Sequence, residues 1–306
     1  MSKMEHDAAV AKLRQQMSTF DKPWYKSCSD LLRKKQLKGL RCLDLCSGNC
    51  EYSRLLKDAH EMKVTCADYI PFHLQQARND GFPTIEIDLD SDAECVDRAA
   101  AEHAGKFDLV VNLAAVEHVF NSDNLMRYAH TVLKPDGLFI INTPNISFLA
   151  YRLYSSISGN RPYGEGHHIR FWDYRFLRTN LFFNGFEVIE DFRRFYSLPE
   201  EILQRAFKNR TWISNPVSRL FYFCFFFQHL RITKGLASDE LTLLCRKEDV
   251  QPIGFNFLQV KSFLEDTTDP VRKSGVLSRL QTAREKGWLK EHLYMSRLVD
   301  HHSYPG

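Results

Sequence analysis

The chain has 306 residues, of which 44% are hydrophobic and 26% are charged, and its formal net charge is +3. This is the composition of a folded protein, long enough for one domain with an extension or for two modest domains. Because its lysines and arginines form no block that would follow a phosphate backbone, we predict no nucleic-acid partner.

The N-terminal segment, residues 1–38, has a helical and polar pattern that carries Phe20, Trp24 and Tyr25 among lysines. It lacks the apolar run of a secretory signal. The chain also contains 8 scattered cysteines. Without a secretory signal, these are expected to be reduced thiols, which favours a cytoplasmic location.

From about residue 39, short apolar runs alternate with helical stretches. The predicted strands are GLRCLDLC, KVTCADY, PTIEIDL, FDLVVNLAA, LFIINTPN, FEVIEDF and ELTLLCRK. The helix predicted over DNLMRYAHTVLKPDG is ended by Pro135 and Gly137. Such alternation indicates βαβ units, and near-continuous apolar runs are typical of strands that are buried on both faces. We therefore predict an α/β fold with a doubly wound, mostly parallel seven-stranded sheet.

The pattern divides the chain into three parts. They are an N-terminal helical cap (1–38), a main domain (39–248) with an insert near 197–238, and a C-terminal helical extension (249–306). The insert contains RLFYFCFFFQHLRI, residues 219–232, whose apolar core is too short to span a membrane. We favour a buried lid or homodimer core here. The alternative is an interfacial helix, or a wall for a greasy acceptor, with peripheral membrane contact.

A tight turn, Asp44-Leu-Cys-Ser-Gly-Asn-Cys, connects the first predicted strand to a helix. The free N–H groups of a helix N-terminus bind phosphate or carboxylate, and Gly48 lets the backbone approach a ligand closely. The second strand ends at Asp68, where an acidic side chain is placed to accept hydrogen bonds from both hydroxyls of a ribose. Together these features predict a nucleoside-containing ligand.

In this order, the motifs LDLCSGN, ADY, IDLD, FDLVVNLAAVEHV, LKPDGLFIINTPN, GHHIRFW and GFEV resemble those of class I S-adenosylmethionine-dependent methyltransferases. The resemblance covers roughly residues 35–195 and the last strand. It implies the Rossmann-like methyltransferase fold and S-adenosylmethionine as cofactor. It also implies the following contacts: Asp44, Cys46, Ser47 and Gly48 under the methionine part, Asp68 at the ribose, Tyr69, Asp88 and Leu89 near the adenine, and Asn112 and Leu113 facing the methionine and sulfonium.

Cys46 and Cys50 stand where the family's loop has glycines. Cysteine at position 46 is tolerated if its φ is negative, whereas a positive φ is costly for any residue with a Cβ. With Cys42, these residues form a C-x3-C-x3-C pattern, which lacks the paired spacing of a zinc site and differs from the C-x3-C-x2-C pattern of the radical class that cleaves the same cofactor. We therefore predict no metal.

Methyl transfer to a hydroxyl needs a group that removes the acceptor's proton, and histidine suits this role at neutral pH. The candidates are His118, in the Glu-His pair after the fourth strand, and His167 and His168 in PYGEGHHIRFW. In the alternative interpretation, Glu117 and His118 organise their loop, and the His167–His168 pair braces the helix that begins after Asp173, its predicted N-cap.

These features predict a methyltransferase that acts at oxygen on a small-molecule, glycan or lipid-linked acceptor. One alternative is a protein that binds the cofactor without turnover. A second is a nicotinamide-dependent oxidoreductase, which also places an acidic residue at a ribose. The loop lacks the G-x-G-x-x-G spacing of that class.

Overall fold

The computed structural model describes residues 22–160, 168–192, 219, 238–255, 257–289 and 293–303. The strands are β1 Arg41–Leu45, β2 Lys63–Asp68, β3 Thr84–Glu86, β4 Phe107–Leu113, β5 Leu133–Pro144, β6 Phe186–Asp191 and β7 Glu240–Lys247. They form one seven-stranded sheet in the order β3-β2-β1-β4-β5-β7-β6. Within this sheet, β7 runs antiparallel to its neighbours β5 and β6, and the other pairings are parallel. The predicted fold class is confirmed.

The helices flank the sheet and alternate with its first strands. Within the described residues they are α1 Pro23–Lys34, α2 Glu51–His60, α3 Pro71–Asn79, α4 Ala93–Ala101, α5 Ser122–Val132, α6 Leu149–Ser158, α7 Tyr174–Phe183, α8 Phe257–Asp266, α9 Pro270–Glu285 and α10 Leu293–Ser303. Asp173 caps α7 as predicted, because its side chain accepts a hydrogen bond from the N–H of Phe176 at 2.8 Å.

The core lies on both faces of the sheet. Leu43 and Val110 belong to one buried cluster, whereas their strand neighbours Cys42 and Leu109 belong to another. Successive side chains of a strand point to opposite faces. The continuous apolar runs in the sequence therefore correspond to strands that are covered on both sides.

Two predicted boundaries are wrong. The helix before β5 ends at Val132 and not at Pro135 or Gly137, because Leu133 already pairs with Phe107 of β4 as the first residue of β5. The third strand contains only three residues. It lies at the edge of the sheet, and its one partner, β2, ends at Asp68 opposite Glu86, so the residues that follow have no strand to pair with.

The terminal segments pack against this sheet in different ways. Helix α1 buries Cys28, Leu31 and Leu32 and places Ser27 Oγ 2.5 Å from Thr242 Oγ1 of β7. The helices α8, α9 and α10 share a cluster with Phe183 of α7. In the part of the chain that the structure describes, no helix is long and apolar enough to cross a membrane. Phe20, His167, residues 220–232 and most of the predicted insert lie outside the described residues.

Candidate active site

The loop between β1 and α2 crosses the carboxyl end of β2. The N–H groups of Cys46 and Ser47 donate to the carbonyl of Ala67 at 2.8 and 3.0 Å. The N–H of Gly48 donates to Asp68 Oδ2 at 2.9 Å. The two features that predicted a nucleoside ligand from sequence are therefore in direct contact.

Asp68 keeps its capacity to accept further hydrogen bonds. Its Oδ1 accepts the N–H of Ile70 at 3.0 Å, its Oδ2 accepts that of Gly48, and His73 Nδ1 lies 3.5 Å from Oδ2. An ionised carboxylate offers about four lone-pair sites. The side chain is thus held in a fixed orientation and still suits the two hydroxyls of a ribose.

The condition under which cysteine is tolerated at position 46, a negative φ, is not met. The φ angles of Cys46, Gly48 and Cys50 are 64°, 55° and 60°, so all three residues are left-handed. The reason is the path of the loop, which turns back far enough for its N–H groups to reach Ala67 and Asp68. For a residue with a Cβ this conformation costs about 1–2 kcal/mol. Both cysteines are therefore strained.

Asp44 is buried beneath the loop and accepts a hydrogen bond from Ser53 Oγ at 2.5 Å. Burial raises the pKa of its carboxyl to about 7. The Ser53 hydrogen bond opposes this rise, and the negative charge of Asp68 adds to it. Asp44 therefore changes charge near neutral pH, and a cation bound over the loop would favour its ionised form.

Asn112, at the end of β4, faces the same loop. Its Nδ2 donates to the carbonyl of Leu45 at 2.9 Å, whereas its buried Oδ1 accepts no hydrogen bond from the described residues. A buried acceptor without a donor is costly. The ammonium group of a methionine moiety is a donor of the kind that this position lacks, so the residues present fit the predicted cofactor.

The predicted adenine contacts lie at the carboxyl ends of β2 and β3. Tyr69 is half-buried, Leu89 is buried and Asp88 is exposed. Asp88 Oδ1 accepts the N–H of Asp90 at 2.9 Å, and the Leu89 carbonyl accepts from Asn124 Nδ2 at 3.0 Å. These contacts keep the segment in place next to Asp68.

A second group of polar side chains follows β4 and β5. The ligand-type atoms of Glu117, His118 and His168 all lie within 4.8 Å of one another. The two imidazole rings are 4.7 Å apart between centroids, in an edge-to-face arrangement. The structure thus brings His118 and His168 together. Thr143, to which the sequence pattern assigned no role, donates from its Oγ1 to Glu117 Oε2 at 3.0 Å. Its position near the carboxyl end of β5, in the motif NTPN, was the available signal.

A family model described as a methyltransferase domain matches residues 14–191, which is more than half of the chain. The chain belongs to this family. The predicted recognition as a class I S-adenosylmethionine-dependent methyltransferase is confirmed, and so is the predicted cofactor. The nicotinamide-dependent alternative is therefore set aside.

Curated relatives of the methyltransferase align with only part of it. The ubiquinone biosynthesis O-methyltransferase of Brucella ovis is 33% identical over 123 residues, which are 39% of this chain and 47% of that protein. Its namesake in Ruegeria pomeroyi is 32% identical over 126 residues, which are 40% and 49%. The chain thus spans about half the length of the curated relatives it matches.

Among solved structures, the complex of the Haloferax volcanii Trm112 methyltransferase activator with a putative methyltransferase contains a similar chain. The TM-score is 0.54 at 15% identity, over 81% of this chain and 100% of that one. At this identity the likeness concerns the fold alone.

Proposed function

We propose that this methyltransferase transfers a methyl group from S-adenosylmethionine to a hydroxyl oxygen of a small-molecule acceptor. The observation that carries the proposal is the Glu117–His118–His168 cluster, which lies at the same edge of the sheet as the cofactor loop. The strand order reverses between β1 and β4. Ligands of open α/β sheets bind at such a reversal, which here separates the loop and Asp68 from the cluster.

On the cofactor side, Asp68 holds the ribose hydroxyls, Asp44 and Asn112 face the methionine ammonium, and Asp88 with Tyr69 positions the adenine. When bound, the cofactor supplies an electrophilic methyl group on a sulfonium. The loop fixes its position through Cys46, Ser47 and Gly48, whose N–H groups are anchored to β2. Such fixed orientation is a large part of catalysis in a displacement reaction.

On the acceptor side, His118 or His168 removes the acceptor's proton. Both histidines are half-buried and Glu117 is buried. His167 is the third candidate for this base, and it lies outside the described residues. The Glu117 carboxylate, held by Thr143, orients the neighbouring imidazoles. A positioned group of this kind contributes about 10²–10⁴-fold to the rate.

The names of the Brucella and Ruegeria relatives favour oxygen as the methylated atom and a small molecule as the acceptor. We further propose that the acceptor is lipid-linked or a glycan, because residues 219–232 are rich in phenylalanine. If the acceptor is held at a membrane, liposomes will retain the protein. Replacement of Phe223 and Phe226 by serine will then release it, and no retention of the wild type would exclude this proposal. A homodimer through the same segment would appear as a doubled mass by light scattering.

Calorimetry and methyl transfer together test the proposed function. We expect the protein to bind S-adenosylmethionine and S-adenosylhomocysteine, and to transfer methyl from labelled cofactor into a base-stable ether of a hydroxylated acceptor. Tight binding without transfer to any hydroxylated, amine or thiol acceptor would favour the non-catalytic alternative. Label in an amine would exclude oxygen as the target, and absence of cofactor binding would exclude both functions.

A further inference from the structure

The loop that carries His168 is attached to the loop that carries Glu117 and His118 by backbone hydrogen bonds. The Glu117 carbonyl accepts the N–H groups of Ile169 at 3.0 Å and of Arg170 at 3.1 Å. The guanidinium of Arg170 donates to the carbonyls of Val119, at 3.2 Å, and Phe120. These hydrogen bonds hold the two segments together. The proximity of the two imidazoles is a consequence of how the backbone is held.

A hydrogen bond from β5 orients the carboxylate of Glu117. Thr143 of β5 donates to its Oε2, and the side chain is 2% exposed. Protein ligands of metal ions are commonly held by such outer hydrogen bonds, which fix the ligand's orientation. A buried glutamate that needed only to brace a loop would not require two half-buried imidazoles beside its carboxylate.

Further acidic groups lie next to this glutamate. Pro144, which follows Thr143, pairs with Glu240 at the start of β7, and Asp239 precedes it. Asp239 and Glu240 are both buried, at 1% and 8% exposure. Carboxyl groups gathered in a poorly solvated region favour a nearby cation.

We propose that Glu117, His118 and His168 bind one divalent transition-metal ion, which coordinates the acceptor's hydroxyl oxygen. Two imidazoles and a carboxylate are the ligand set of open catalytic zinc sites and also suit Mn²⁺, Co²⁺ and Fe²⁺. Three ligand atoms at about 2.1 Å from one ion lie about 3.4 Å from one another. The separations, which reach 4.8 Å, must therefore shorten by up to about 1.4 Å through side-chain rotation when the ion binds.

This site deepens the proposed function and rests on it. The ion lowers the pKa of the hydroxyl that it coordinates, so the proton leaves to solvent before or during attack. The oxygen then forms its bond to the methyl carbon while the carbon–sulfur bond breaks, and that electron pair stays on sulfur. The products are the methyl ether, S-adenosylhomocysteine and one proton. The two histidines then act as metal ligands in place of a base.

Metal binding is measured directly on the untagged, full-length chain after dialysis against a chelator. The probes are Zn²⁺, by equilibrium dialysis, and Co²⁺, by its visible absorption. We expect one ion per chain and a Co²⁺ spectrum with imidazole ligation. Both signals should be lost in Glu117→Gln and in His168→Gln, with melting temperatures close to wild type. Glu117→Gln keeps an oxygen for Thr143, and His168→Gln changes a less buried position, so at least one variant should remain folded.

Two control variants exclude adventitious binding. His103→Ala removes a histidine that precedes the amino end of β4, whereas the cluster lies at the carboxyl ends of the strands. His301→Ala/His302→Ala removes the pair of histidines near the C-terminus. Both should still bind the ion. The metal site is overturned if the wild type binds no stoichiometric ion. It is also overturned if a control variant loses the ion while His168→Gln keeps it. A chain that binds S-adenosylhomocysteine but no ion leaves the proposed function standing. A chain that binds the ion but not the nucleoside excludes the proposed function.

Discussion

The loop between β1 and α2 and the Glu117–His118–His168 cluster are built in opposite ways. The loop, residues 46–50, is contiguous in sequence and is held through backbone N–H groups that reach Ala67 and Asp68. The cluster consists of side chains from two segments that are far apart in sequence and are held together by the carbonyl of Glu117. The loop depends on backbone conformation, whereas the cluster depends on which side chains are present.

This difference explains which substitutions each region tolerates. Cys46 and Cys50 of the loop both adopt positive φ, at a cost of about 1–2 kcal/mol each. The hydrogen bonds of the loop come from N–H groups, which every residue except proline provides. In the cluster, by contrast, we expect the proposed chemistry to be lost when an imidazole or the carboxylate is removed.

The largest expected effect separates the two regions by kinetics. In His168→Ala, kcat should fall by at least about a hundredfold, because the variant lacks the group that removes or displaces the acceptor's proton. The dissociation constant of S-adenosylhomocysteine should stay as in wild type. Steady-state kinetics and calorimetry measure the two values, with His103→Ala as the control. A parallel loss of nucleoside affinity would mean that the two regions are not independent.

The opposite pattern is expected for Asp68→Ala. Loss of two charge-assisted hydrogen bonds from the ribose, each of about 1.5–3 kcal/mol, should weaken cofactor binding by roughly a hundredfold or more. Asp97→Ala is the matched control, because Asp97 is an exposed carboxylate on α4. Asp68→Asn, which keeps an acceptor for the N–H of Gly48, should bind more tightly than Asp68→Ala. Equal affinities for wild type and Asp68→Ala would remove Asp68 from the site.

The third prediction concerns the pH dependence of the cofactor side. The pKa of Asp44 is about 7, so the carboxyl is largely protonated at lower pH. A cationic ligand favours the ionised form, and binding below pH 7 must therefore release this proton. We expect affinity for S-adenosylmethionine to rise up to about tenfold per pH unit below 7 and to level off above it. In Asp44→Asn, the affinity for S-adenosylmethionine, measured by titration across this pH range, should not depend on pH. An affinity that still rises with pH in this variant would assign the proton to another group.

The smallest effect tests backbone strain in the loop. Position 46 has a positive φ, so Cys46→Gly should be about 1 kcal/mol more stable than Cys46→Ala. At the exposed Cys95 in α4 the order should reverse, with the glycine variant less stable than the alanine variant by about 1 kcal/mol. Urea denaturation of the four variants measures both differences. The same order at both positions would contradict a strained loop.

The predictions that proved correct depend on local information. Run length and alternation along the chain predicted the α/β class and placed Asp68 at the end of the second strand. The N-cap at Asp173 is equally local, because its partner is the N–H of Phe176. Such features need only the order of residues within one or two elements.

The features that the sequence did not determine depend on contacts between distant segments. The φ of Cys46 follows from hydrogen bonds to Ala67, and the start of β5 follows from the pairing of Leu133 with Phe107. The role of Thr143 appears only when β5 lies beside the Glu117 loop. In each case the partner is not a sequence neighbour.

The sequence alone therefore determined the fold class and the methyltransferase family, because its strand periodicity and loop motif are short-range patterns. Only the tertiary structure decided that Glu117, His118 and His168 form one cluster. That cluster exists because the Glu117 carbonyl accepts hydrogen bonds from the residues that follow His168, and hydrogen bonds between distant segments leave no periodic pattern in the sequence.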